Sequence, residues 1–194
     1  MKEKHFVSLI IIMMSLALLC SYHIYYCFLD DEENNLVESY YENKSQQENS
    51  IVKKVSYKEK DEYLGILNIP RINLKQGFYS ISSKNNNVNR SVTILKESIM
   101  PNENGSIVYL VAHSGSGYLA FFKDLNKLEI NDIIYLDINN VSYKYSINDI
   151  YELDKNGKIM VNHNIHENLL VLSTCSDNLN KQLVITSKLI KNID

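Results

Sequence analysis

Hydrophobic positions fall into three regimes along the chain. Residues 6–29 run for 24 residues without Asp, Glu, Lys or Arg, longer than the about 20 that a helix needs to cross a bilayer. Lys2 and Lys4 precede this run and Asp30-Asp31-Glu32-Glu33 follow it. Lysines favour the cytoplasmic side, so the expected orientation is residues 1–5 inside and the rest of the chain outside, a single-pass protein of the cell membrane. Tyr22, Tyr25 and Tyr26 suit the far interface. The small residues of a signal-peptide cleavage site are missing, so the run reads as an uncleaved anchor. Residues 30–62 are rich in Glu, Lys, Asn, Ser and Gln, too polar to bury much surface, and read as a stalk that is helical over part of 36–60.

From residue 63 the apolar positions come in short runs, and the domain is expected to span 63–194. Strands are expected at 63–69, stopped by Pro70, then at 72–74, 78–81, 106–112, 133–138, 142–151, 158–161, 168–174 and 182–190. Residues 84–90 are an Asn-rich loop and 101–105 a turn. Apolar positions 118, 121, 122, 125 and 128 have the spacing of a short amphipathic helix. Many short strands with one or two short helices predict a mostly β domain, a closed or nearly closed β-barrel. Composition agrees: 14 Tyr and 2 Pro lean towards strands. A net charge of -3 with no basic tract argues against nucleic acid as a partner.

Of the three cysteines, Cys20 and Cys27 lie in the apolar run and only Cys175 lies in the domain. An intradomain disulfide and a multi-cysteine zinc site are thereby excluded. Cys175 ends the run Leu169-Leu170-Val171-Leu172-Ser173-Thr174 and precedes a polar loop. A thiol there is either a small core hydrophobe or a nucleophile held rigidly at a strand end. His113 likewise follows an apolar run, Ile107 to Ala112, 62 residues before Cys175. Only the fold can bring the two together, as cysteine–histidine catalysis requires. His163 and His166 sit in a polar stretch and read as solvated. The acidic residues of the domain have no calcium-ligand spacing, which leaves calcium dependence open.

The motifs in order resemble the sortases, cysteine transpeptidases of Gram-positive-type cell surfaces. Leu172-Ser173-Thr174-Cys175 resembles the family's Leu-x-Thr-Cys signature, and Gly65 to Ile72, with its Ile69-Pro70, its opening strand. Val111-Ala112-His113-Ser114-Gly115 stands where the histidine strand belongs. Phe121-Phe122-Lys123-Asp124-Leu125 with Asn131-Asp132-Ile133-Ile134 is similar to the next segment, Asn131 replacing a glycine, and Tyr143 to Ile147 to the strand after it. The resemblance implies a sortase-type barrel of about eight strands behind a membrane anchor. It also implies a Cys-His-Arg site that cleaves an LPXTG-like sorting signal through a thioacyl intermediate on Cys175, with His113 as acid and base. The acceptor it implies is an amine of a cell-wall precursor or a pilin lysine, and it implies no cofactor. Ser114, Thr174 and Lys181 are the candidate substrate contacts.

The chain departs from the family at one position. Gln182 stands at the arginine site, with Lys181 before it. A glutamine amide donates a neutral hydrogen bond where arginine offers a rigid charged fork. Three readings follow: Gln182 substitutes directly, Lys181 or Lys188 reaches in, or the enzyme is weak or inactive. Gln182 is the expected occupant, Arg71 is expected to be structural, and Arg90 is a distant substitute. The rival functions are an impaired homologue that binds sorting peptides or assists another sortase, and a non-enzymatic surface module.

Overall fold

The apolar run and the start of the polar stretch form one helix, α1 (Lys2–Gln47). The computed structural model describes residues 2–47, 62–101, 104–139, 141–162, 164, 166–178 and 180–193. Residues 48–60 of the expected stalk helix and His163 fall outside them. From Val7 onward α1 is long and apolar enough to cross a membrane, and its most apolar window is entirely unburied.

Eight strands follow: β1 (Gly65–Ile69), β2 (Leu74–Phe78), β3 (Thr93–Ile94), β4 (Ile107–Val111), β5 (Ile133–Ile138), β6 (Val141–Asp154), β7 (Leu169–Cys175) and β8 (Lys181–Ile193). They make one sheet in the order β2-β1-β5-β6-β8-β7-β4-β3. A bridge from Phe78 to Val92 brings the two ends together, so the barrel is nearly closed. Every pairing between neighbouring strands is antiparallel except β4 with β7. That exception builds the site.

Alternation sets the core. In β6, Tyr143, Tyr145 and Ile147 point inward and are buried while Ser142, Lys144 and Ser146 are only partly covered, the period-two pattern of a half-buried strand. β7 is buried at every position from Leu169 to Thr174, because β4 and β8 flank it and both its faces are covered. β1 divides its side chains. Leu67 and Ile69 join the barrel core, and Ile66 joins a smaller cluster with Val37, Tyr63 and Tyr79. Val37 belongs to α1, so the helix buries an apolar side chain despite its polar surroundings. Tyr41 of α1 also donates to Asp137 of β5 at 2.6 Å.

Four expected elements differ. Residues 118–128 do not form an α-helix; they descend in successive turns, with a single 3-10 turn at Leu125–Lys127. Their spacing instead plugs the barrel end, since Phe122, Leu125 and Leu128 are buried. The two strands expected at 72–74 and 78–81 are one strand, β2, whose polar centre is accommodated: Gln76 is buried, and Gly77 leaves the room that the Tyr63 ring occupies. Residues 158–161 form no strand, because β8 already has β6 and β7 at its sides. Asn131 holds φ +74°, a left-handed conformation that asparagine tolerates in place of glycine.

Candidate active site

β4 and β7 run parallel in the register Ile107 with Leu169 through Val111 with Ser173. The pairing continues one step further. Ala112 N–H donates to Ser173 O at 3.4 Å, and Thr174 Oγ1 donates to Ala112 O at 2.7 Å. His113 is the next residue on one chain and Cys175 ends the other, so the two leave the sheet side by side. Phe122, fully buried, donates its N–H to His113 O at 2.9 Å and fixes the exit of the histidine strand.

Both side chains are exposed. His113 Nε2 lies 3.2 Å from Asn89 Oδ1. Lys155 Nζ donates to Cys175 Sγ at 3.2 Å. A cavity of about 340 Å³ opens at Cys175, lined by Ser114, Phe122, Lys123, Thr174 and Leu183 among others. Cys175 is thus not the buried core hydrophobe that free cysteines usually are. The arrangement offers a nucleophile at the cavity, a cation on its sulfur, and an acid–base group at the end of the neighbouring strand.

The other expected site residues divide. Ser114 and Thr174 line the cavity, although the Thr174 hydroxyl is occupied by Ala112 O. Gln182 is directly opposite Cys175 in the β7–β8 pairing, yet its Nε2 donates to Lys158 O at 2.7 Å. Its amide is therefore bound to backbone rather than presented at the thiol. Lys181 Nζ lies 3.9 Å from Oε2 of Glu152, which lines the same cavity. Glu152 also accepts from the Ser176 hydroxyl. Lys188 pairs with Glu167 at 2.7 Å, Arg71 with Glu129 at 2.9 Å, and Arg90 donates to Asn85 at 2.6 Å. Among the described residues no group of three or more His, Cys, Asp or Glu is placed to hold a metal ion.

Sequence reasoning missed Asn89 and Lys155. Asn89 lies in the Asn-rich loop and reaches His113 only through the fold. Lys155 follows directly on β6, which is 14 residues long; an expected strand end at residue 151 put it in an unplaced turn.

A nearly closed barrel with a thiol and an imidazole at adjacent ends of its parallel strand pair is the arrangement of a cysteine-nucleophile enzyme. The sortase domain family matches residues 67–190, and the chain belongs to the sortase family. Solved structures of similar fold include sortase C1 of Streptococcus agalactiae, at TM-score 0.61 and 22% identity over 73% of this chain and 74% of that one. The Clostridium perfringens sortase D5 transpeptidase aligns at TM-score 0.59 and 19% identity, over 83% and 95% of the two chains. Sortase A of Corynebacterium diphtheriae aligns at 0.61 and 14%, over 83% and 85%. A comparison with curated protein sequences finds no match.

Proposed function

We propose that the chain is a membrane-anchored transpeptidase that cuts an LPXTG-like C-terminal sorting signal and joins the released acyl group to an amine. Residues 6–29 hold it in the membrane with its N-terminus inside and the barrel, 63–194, outside. Cys175 Sγ attacks the carbonyl carbon of the scissile peptide, and the C–N bond breaks as His113 gives its proton to the leaving amine. An incoming amine, from a cell-wall precursor or a pilin lysine, then attacks the thioester. Its proton passes to His113 and the sulfur leaves as thiolate, so the enzyme returns to its starting state. The observation that carries this reading is the parallel β4–β7 pair, ending in an imidazole on one strand and a thiol on the other.

The test is intact-mass spectrometry of the full-length protein in detergent with a panel of LPXTG-like peptides. A mass gain equal to the acyl fragment, lost in Cys175→Ala, is the expected result. An adduct that survives Cys175→Ala would overturn it. Glutamine at the arginine position favours one second reading, an impaired homologue that binds sorting peptides; no adduct from the natural protein but an adduct from Gln182→Arg would select it.

A further inference from the structure

Transfer through a thioester needs positive charge at the nucleophile, because negative charge sits first on sulfur and then on the tetrahedral oxygen. Gln182 brings none, and its amide is turned to Lys158 O. Of the other cations, Lys181 lies 3.9 Å from Glu152 and Lys123 lines the cavity, while Lys188 pairs with Glu167 at the far end of β7. Lys155 touches the sulfur, with Nζ 3.2 Å from Sγ. An ammonium at that distance stabilises charge on sulfur directly.

The position of Lys155 is built. Its N–H donates to Asn180 O at 2.8 Å, so the start of its loop is tied to the turn between β7 and β8. The loop then folds back on itself: Asn156 N–H donates to Asp154 O, Lys158 N–H donates to Asn156 Oδ1, and Gly157 takes φ +76°. Its far side is held at Lys158 O by Gln182. The residue at the arginine position thus grips the loop that carries the lysine.

Resting on the transpeptidase reading, we propose that Lys155 is the catalytic cation of this site and that Gln182 is a positioning residue acting through the 155–158 loop. The lysine acts only as a hydrogen-bond donor. It donates to Sγ before attack and to the developing oxyanion during it, while the proton that moves travels on His113.

The experiment follows alkylation of Cys175 by iodoacetamide at pH 7 in the full-length protein, read by peptide mass spectrometry with Cys20 and Cys27 as internal references. Lys155→Met is expected to slow Cys175 about tenfold and Lys155→Arg less than threefold, with both references unchanged. Gln182→Ala is expected to slow it by a smaller factor, and to add nothing in the Lys155→Met background, the signature of a shared route. With a peptide that acylates the wild type, Lys155→Met is expected to lower kcat about tenfold at constant KM. A wild-type alkylation rate in Lys155→Met overturns the proposal. So does slowing by Lys123→Met in its place, because Lys123 lines the same cavity. If no peptide acylates the wild type while Lys155→Met still slows alkylation, the transpeptidase reading falls and the assignment of Lys155 to the thiol stands.

Discussion

Two hydrogen bonds fix the relation of the imidazole to the thiol, and each can be cut singly. Asn89 Oδ1 meets His113 Nε2 at 3.2 Å, and a partner on one ring nitrogen sets the tautomer and tilt of the ring. Asn89→Ala is expected to lower kcat for acyl transfer by roughly three- to tenfold while thermal stability stays within about 0.5 kcal/mol, since Asn89 is exposed. Thr174 acts differently: it is buried and its hydroxyl bonds the Ala112 carbonyl at 2.7 Å. Thr174→Val strands that carbonyl and is expected to cost about 1–3 kcal/mol in chemical denaturation, with a loss of transfer activity on top. Full activity in a destabilised Thr174→Val protein would show that this bond serves the fold alone. The sequence announced His113 and Cys175, because each closes an apolar run. It was silent on Asn89 and Lys155, whose partners lie on other elements and whose own surroundings are ordinary loop.

At the scale of the strand, burial on both faces makes β7 the most sensitive element. Leu172 is fully buried three residues before Cys175, and Leu172→Ala is expected to destabilise by about 2–5 kcal/mol, read as a fall in denaturation midpoint. Tyr145 of β6 points the other way. It is fully buried, and its hydroxyl has no hydrogen-bond partner among the described residues; burial also pushes its ionisation up, and it stays neutral. Tyr145→Phe is therefore expected to be neutral or to stabilise by about 1 kcal/mol, and a clear loss of stability would reveal a partner. Strands with period-two alternation, such as β5 and β6, were legible from the sequence. The 118–128 segment was misread because plugging a barrel end and lining a helix face both place apolar residues three or four apart. β2 was misread because its centre, Lys75-Gln76-Gly77, is polar, with Gly77 making room for Tyr63, a residue outside the strand.

Across the whole molecule, α1 and the barrel meet through tyrosines. Tyr118 donates to Leu29 O at 2.6 Å and to Glu33 at 2.9 Å, and Tyr63 reaches the same carboxylate at 3.4 Å. Burial first, and the Glu33 charge second, push both phenols up, so they remain donors at any physiological pH. Tyr118→Phe is expected to weaken this docking by about 1–3 kcal/mol, measured as faster proteolysis near residue 47 with the barrel intact. Unchanged cleavage would show that the Val37 cluster suffices. The barrel's strand order has a temporal consequence. The hairpins β1–β2, β5–β6 and β7–β8 join neighbours in sequence, whereas β4 must find β7 across 62 residues, and pairings of long separation are slow to form. A newly made chain with its hairpins complete still holds its imidazole away from its thiol. Reactivity therefore waits on a long-range pairing, and a chain that has made only its hairpins is chemically silent towards its neighbours.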